Sequence, residues 1–261
     1  MKHEGGLRKT GCLKKFTIDK PLVSIITVVF NGKNHLEETI QSIVNQTYKN
    51  LEYIIIDGGS TDGTLDIIYQ YDTKIDYWLS EKDGGIYDAM NKGIKQASGD
   101  WLLFIGADDC LFSGDVIASV SFLDFKNHLL ISGCVIYDTG TKVCSRLGFS
   151  TLLHNTVHHQ SSFYNSKLFL NWKYDTKFHV IADYELNLIL YLTNARTVMI
   201  DKVISFCREG GVSRENYQLV YRETNEVRRI HLGKKSLLFQ VLYFIKYNVS
   251  FLKGKITHAF K

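Results

Sequence analysis

Asp108 and Asp109 stand directly after an apolar, strand-like run, Trp101–Ile105. In open α/β sheets, ligands bind at the carboxyl ends of strands. Adjacent carboxylates there are hard oxygen ligands for Mg2+ or Mn2+, ions that commonly bridge protein carboxylates and substrate phosphates. Just upstream, Asp83-Gly84-Gly85 form a polar, glycine-bearing loop ahead of a helix-like run. Loop and carboxylates together suit a phosphorylated small molecule. Two Asp after a strand also make a turn and helix N-cap, so neighbouring residues must decide between the readings. Asp57 ends a second buried run, Leu51–Asp57, and leads into Gly58-Gly-Ser-Thr-Asp-Gly-Thr64. Ser60, Thr61 and Asp62 of that turn can cap the following helix. Asp183 falls in the first turn of a helix marked by Leu186, Ile189 and Leu190, where an acid also complements the helix dipole. His158-His159-Gln160 opens what reads as a strand through Phe163. A histidine there can complete a metal site or bind phosphate, although adjacent histidines without an acid or Cys at ligand spacing more often are ordinary polar residues. Arg208 and Arg214 flank Glu-Gly-Gly-Val-Ser. This reads either as a loop that closes over a diphosphate or as a solvated connector.

The elements that must hold these groups follow from the apolar runs. Leu22–Phe30 is β-branched, preceded by the sole proline, Pro21, and ended by Asn31-Gly32, which predicts a fully buried strand. Leu36–Asn45 reads as a helix, Leu51–Asp57 as a strand, Leu65–Tyr71 as a helix and Trp101–Ile105 as a strand. Alternating strand and helix predicts a doubly wound α/β sheet. Two strands then deliver aspartates to the same sheet edge, where they can converge on one crevice.

Val23–Asn31, Gln46-Thr-Tyr48, Ile56–Thr64, Asp83–Gly93 and Gly106-Ala-Asp-Asp109 together resemble the family 2 glycosyltransferases. The likeness is densest over residues 21–112 and weaker to about 215. It implies the GT-A fold, here a doubly wound mixed sheet flanked by helices, and an inverting, nucleotide-sugar-dependent enzyme. It further implies donor contacts from Thr27, Val29, Phe30, Asn31, Asp57, Gly58, Asp83, Gly84, Asn91, Lys92 and Asp108, with Asp57 on the base of the nucleotide. A DxD-like motif holds the metal and the donor diphosphate in that family. Gly106 stands where many members carry its first Asp, which leaves Asp108 and Asp109 for Mn2+ or Mg2+, either of them able to ligate directly.

Glycosyl transfer breaks an anomeric C–O bond and leaves a diphosphate, whose charge a divalent cation stabilises. The acceptor hydroxyl needs a general base on the opposite face of the sugar. Family members place that base where this chain has Ala182-Asp-Tyr-Glu-Leu186, so the resemblance gives the role to Asp183, with Glu185 the fallback. Two steps along a helix turn a side chain by roughly 200°, so Glu185 should point elsewhere. His159, Gln160, Arg208 and Arg214 are expected at the diphosphate or the acceptor. The resemblance leans towards members that build bacterial surface polysaccharides such as O-antigen, capsule or exopolysaccharide. That implies a hexose donor such as a UDP-sugar and a polyprenyl-diphosphate-linked saccharide acceptor at the inner face of the cell membrane. Two other classes remain open: a sugar nucleotidyltransferase, whose basic, Gly-rich loop after the first strand is missing apart from Lys33, and a non-catalytic nucleotide-sugar-binding module. Dinucleotide and P-loop fingerprints are absent.

Residues 1–20 read as a flexible, polar lead-in without the apolar core of a secretion signal. Residues 21–226 read as the catalytic domain, with donor and acceptor halves divided near 112, and 227–261 as a basic, amphipathic segment. The five cysteines, Cys12, Cys110, Cys134, Cys144 and Cys207, are scattered and lack CxxC spacing, which reads as free thiols in a reducing compartment. The net charge is +4, unevenly spread. No acid follows Glu226, and eight Lys and Arg do; residues 1–226 carry 23 basic and 27 acidic side chains and so −4. Within 236–253, Leu237, Leu238, Val241, Leu242, Ile245, Val249 and Leu252 fall on one helical face and Tyr243, Lys246, Ser250 and Lys253 on the other. Lys246 in the middle and a short apolar run argue against a spanning helix. A basic amphipathic helix suits an anionic bilayer surface, or the same helix covers the catalytic domain. No nucleic-acid-binding motif accompanies the charge.

Overall fold

The run after Pro21 carries apolar residues at every step except Ser24 and Thr27, so it must be covered on both faces. The computed structural model, which describes residues 2–11, 14, 20–122, 124–210 and 216–244, covers it with a mixed sheet between two helical layers. Among the described residues the strands are β1 (His3–Gly5), β2 (Val23–Val29), β3 (Leu51–Asp57), β4 (Tyr77–Ser80), β5 (Trp101–Gly106), β6 (Cys110–Leu111), β7 (Leu130–Tyr137), β8 (Lys142–Cys144), β9 (Ser162–Asn165) and β10 (Thr197–Cys207). The helices are α1 (Leu36–Val44), α2 (Thr64–Gln70), α3 (Ile86–Gln96), α4 (Ala182–Leu192), α5 (Tyr217–Leu232) and α6 (236–244).

The sheet order is β1-β4-β3-β2-β5-β9-β7-β10-β6, with β8 on β7. β4, β3, β2 and β5 run parallel, so their carboxyl ends share one edge. β9 is antiparallel to β5 and β7 and joins the strands beyond residue 112 to the same sheet. One apolar layer packs Leu36, Ile40, Ile43 and Ile68 of α1 and α2 against Val23, Ile25 and Ile55. The other packs Tyr87 and Met90 of α3 and Leu186 of α4 against Ile26, Ile54 and Phe104. Gly93 lets α3 approach β2 closely: a Cβ there would come within 2.5 Å of Ile26 Cγ2.

The first residues depart from the flexible lead-in expected over 1–20. β1 pairs antiparallel with β4 at the sheet edge. Arg8 bonds the buried Glu52 and donates to the Gln96 carbonyl at 2.6 Å, and Lys14 reaches Asp76 at 2.8 Å. The buried carboxylates of β3 and its neighbours need these cations. The cysteines also depart from expectation. Cys134 and Cys144 are joined in a disulfide, because the hairpin of β7 and β8 sets them directly opposite each other, a proximity their sequence spacing does not announce. Cys110 and Cys207 are free thiols, and Cys12 lies outside the described residues. His159–Ser161 is a 3-10 turn, and β9 begins only at Ser162.

At the other end, α5 buries Arg228 completely. Its guanidinium donates to Asn225 at 3.0 Å and to the Leu153 carbonyl, and it lies 4.8 Å from the Tyr243 ring centroid. α6 thus packs through Phe239 and Tyr243, whose rings meet Phe149 and Tyr221. Its Leu237, Leu238, Val241, Leu242 and Phe244 stay exposed. Residues 245–253 of the expected amphipathic run lie outside the described residues. No described helix is long and apolar enough to cross a membrane.

Candidate active site

The loops after β2 and β3 are stitched together. Asn31 adopts a left-handed backbone, φ 52°, a conformation Asn tolerates better than most residues. Its N–H donates to Ser60 Oγ at 2.7 Å and its Oδ1 accepts from Thr61 N–H at 2.9 Å. Gly32 N–H donates to Thr64 Oγ1 at 2.9 Å and Lys33 N–H to Asp62 Oδ2 at 3.0 Å. Asp57 is fully buried beneath this loop. It accepts from Gly59 N–H at 3.2 Å, Ser60 N–H at 3.1 Å, Ser80 Oγ at 2.6 Å and the Ser60 hydroxyl. Gly63 heads α2 without a side-chain cap, so Ser60, Thr61 and Asp62 do not cap it as expected; Asp62 accepts from Thr64 N–H at 3.0 Å from one residue before the cap, and Ser60 is committed to Asp57. Asp83 lies against Gly58, where a Cβ would come within 2.7 Å of its carboxylate. Burial raises the Asp83 pKa. These loops therefore converge on one rim, with Phe30 standing 67% exposed beside them.

At the end of β5 the two carboxylates differ. Asp108 is exposed and Asp109 buried, and both lie over Gly106, where a Cβ would approach them within 3.0 and 2.8 Å. A side chain at 106 would require the two carboxylates to shift. Burial, then the Asp108 charge, push the Asp109 pKa up to about 6, against the opposing pull of His159 and hydrogen bonds from Cys207 and Gln160. Two crowded carboxylates, one desolvated, fit a divalent cation that takes the rest of its shell from substrate phosphate and water. Among the described residues, three potential ligands converge only at Cys134, Cys144 and Asp201, whose sulfurs are bonded to each other.

Asp183, 6% exposed, heads α4. Its Oδ1 accepts from Tyr87 Oη at 3.0 Å and Tyr184 N–H at 2.9 Å, and its Oδ2 from Asn155 Nδ2 at 2.9 Å and His159 Nδ1 at 3.1 Å. Burial would raise its pKa. His159, by hydrogen bond and charge, with Tyr87 and the Tyr184 N–H, reverses that and holds the carboxylate below its usual value. An ionised carboxylate only accepts, so His159 Nδ1 carries a hydrogen. Asn155 Oδ1 in turn accepts from Asn187 Nδ2 at 3.0 Å, and Tyr164 donates to Asn187 at 3.3 Å. Glu185 points away, as helical geometry predicts, and bonds His231 of α5 at 2.8 Å.

The structure brings Asp183, His159, Gln160, Asp109 and Asp108 into one electrostatic neighbourhood. Other expected contacts have partners of their own. Thr27 is buried within the sheet against Tyr53 Oη at 3.2 Å, and Val29 is buried in the core. Gly84 N–H donates to Asp88 at 3.0 Å. Asn91 clamps the Tyr174 backbone, and Lys92 pairs with Glu81 at 3.0 Å. Arg208 donates to the Asp108 carbonyl at 2.7 Å and to Glu38 at 2.6 Å. Arg214 lies outside the described residues. Sequence reasoning missed Tyr87, Asn155 and Glu38. Tyr87 stands inside the donor-loop motif but reads as core, and Asn155 and Glu38 carry no local signal because their partners are 28 and 170 residues distant.

The family model "Glycosyl transferase family 2" matches residues 24–184. A curated Mycobacterium tuberculosis protein named as a PGL/p-HBAD biosynthesis glycosyltransferase is 32% identical over 203 residues, 74% of this chain and 79% of that protein. The S. aureus TarS fragment 1-349 in complex with UDP superimposes with a TM-score of 0.64 at 18% identity, covering 85% of this chain and 70% of that one; for the unliganded fragment the latter share is 65%. A mannosyltransferase from Pyrobaculum calidifontis, in complex with GDP-Man and Mn2+, gives 0.61 at 15% identity over 93% of this chain and 81% of that one. At such identities the solved structures speak to the fold, the GT-A arrangement of a mixed sheet between helices.

Proposed function

The chain belongs to glycosyl transferase family 2, and on that premise we propose that it moves a sugar, with inversion, from a nucleoside diphosphate to an acceptor hydroxyl. One observation carries the reading: His159 bonds Asp183 at 3.1 Å and its charge also acts on Asp109, which follows the parallel strand β5 beside Asp108. Asp108 and Asp109 would hold a divalent cation, Mn2+ or Mg2+. When bound, that ion stabilises the charge of the departing diphosphate. The loops at Asn31, Gly58 and Asp83, with Phe30 beside them, receive the nucleotide. Asp183 takes the proton of the attacking hydroxyl on the face of the sugar opposite the diphosphate. Its Asn155 and His159 contacts keep it in place meanwhile.

The acceptor we propose is a lipid-linked saccharide, met by an enzyme lying on the cytoplasmic face of the membrane. Support comes from the exposed apolar face of α6 beside Lys234 and Lys235. The donor we propose is a UDP-hexose, in keeping with the UDP complex of the TarS fragment.

Thermal unfolding with UDP, GDP or dTDP, each with Mn2+ or with EDTA, tests the donor reading. A ligand at about 100 times its dissociation constant stabilises by roughly 2.7 kcal/mol. UDP with Mn2+ should raise the Tm and EDTA should remove the rise. Equal stabilisation by UDP in EDTA would overturn the metal role, and no stabilisation by any nucleotide would overturn the donor reading.

A further inference from the structure

We propose that Tyr87 is the positioning residue that ties the donor loop to the base; this rests on the reading of Asp183 as base. Of the four hydrogen bonds on Asp183, those from His159, Asn155 and the Tyr184 N–H come from the acceptor half. Among the described residues Tyr87 alone reaches the carboxylate from the donor half, across 96 residues of chain. It lies two residues beyond Gly85, whose φ is 113°, in the first turn of α3.

That turn is locked to the loop on one side and to the acceptor half on the other. Gly85 N–H donates to Asp83 at 2.9 Å, Gly84 N–H to Asp88 at 3.0 Å, and Lys92 pairs with Glu81 at 3.0 Å. One turn on, Asn91 donates to the Tyr174 carbonyl at 2.8 Å and accepts from its N–H at 3.0 Å. The Tyr87 and Tyr174 rings lie 5.3 Å apart. A donor that seats Asp83–Gly85 therefore sets α3, and α3 sets the hydroxyl that aims Asp183 Oδ1. Interiors are close-packed and transmit such shifts rather than absorbing them. The base is then aligned when the donor is in place, which limits proton abstraction without a sugar to transfer.

Tyr87→Phe removes the hydroxyl and keeps the ring. Tyr174→Phe is the matched control, since its buried hydroxyl has no hydrogen-bond partner among the described residues. The groups facing Asp183 are Tyr87 from α3, His158 and His159 from the 3-10 segment, Tyr164 from β9, and Tyr174. In the metal-free protein, Tyr87→Phe should lower stability at pH 7 and lose that deficit only as the pH falls below about 4, where the carboxylate, held below its usual pKa, protonates. Tyr174→Phe should show no such pH dependence. Sugar release to water from UDP-GlcNAc, UDP-glucose and GDP-mannose with Mn2+ supplies the second readout, beside Asp183→Asn. Tyr87→Phe should slow release about tenfold, the worth of one hydrogen bond to a charged group. The acid limb should move to higher pH, while the UDP dissociation constant stays within about twofold of wild type. Wild-type release and acid limb in Tyr87→Phe, with Asp183→Asn inactive, would overturn the proposal. Wild-type release in Asp183→Asn would instead overturn the base reading. If none of the three sugars is released, the stability curves decide: a deficit as large well below pH 4 as at pH 7 overturns the proposal, and one that closes below about pH 4 supports it.

Discussion

A buried carboxylate survives ionised only if its oxygens are occupied. Asp183 and Asp109 answer that requirement in opposite ways. Asp183 has four donors and is held ionised; Asp109 has few, and its pKa rises to about 6. Asp183→Asn keeps the size and part of the hydrogen bonding but cannot accept the proton. It should lower kcat by about 10² to 10⁴ and leave the nucleotide dissociation constant nearly unchanged, since the base faces the acceptor. Glu185→Gln, whose partner is His231 on α5, should cost far less in kcat. Near-normal turnover of Asp183→Asn would end its candidacy. For Asp109 the sign runs the other way from the usual acid. Its pKa is raised on folding, so the metal-free protein loses stability as the pH climbs from about 4 through 6. Asp109→Asn should therefore raise metal-free stability at pH 7.5 by about 2 kcal/mol, change little at pH 4, and abolish the extra stabilisation by UDP with Mn2+. Unfolding curves of both proteins at the two pH values check this.

Elements were legible where local pattern and burial agree. The β-branched run Leu22–Phe30 and the runs ending at Asp57 and Ile105 became β2, β3 and β5 in parallel register, because apolar residues on both alternating faces leave no alternative to two-faced burial. Asp183 fell in the first turn of α4 as its flanking leucines predict. What escaped was long-range. β1 has three residues and owes its existence to an edge offered by β4, its paired residues 73 to 77 positions away. The Cys134–Cys144 bond depends on a hairpin register, and Tyr87 meets Asp183 only because α3 and α4 lie in the same layer. Local spacing carries none of this. The contact of α3 with β2 offers a test at this scale. Gly93→Ala adds one methyl group 2.5 Å from Ile26 Cγ2, and helix propensity would favour Ala by about 1 kcal/mol. Overpacking of a tight core costs typically 1–3 kcal/mol, so the variant should be less stable overall, and shifts of α3 should weaken UDP binding with it. A gain in Tm would show that helix and sheet can separate at no cost.

The whole molecule is polarised: residues 1–226 carry −4 and the remainder only positive charge. α5 and α6 place the start of that positive segment against the catalytic domain, since buried Arg228 holds Leu153 and underlies Tyr243. The helix uses its aromatic side for that contact and leaves Leu237 and Leu238 66% and 60% exposed. A helix that only covered the domain would turn those leucines inward. Outward leucines flanked by lysines match an anionic bilayer, where apolar burial and charge act together. Replacing Leu237, Leu238, Val241 and Leu242 by Ser leaves Phe239, Tyr243 and Arg228 untouched, so the fold and UDP binding should persist. Co-sedimentation with vesicles of anionic and neutral lipid should fall sharply for this variant. For the wild type it should weaken as salt rises from 0.05 to about 0.5 M, because the lysine attraction is screened over a few ångströms at high ionic strength. Binding that ignores both salt and the four serines would place the membrane contact elsewhere. Loss of the folded state in the serine variant would mean that this face is covered by protein in solution.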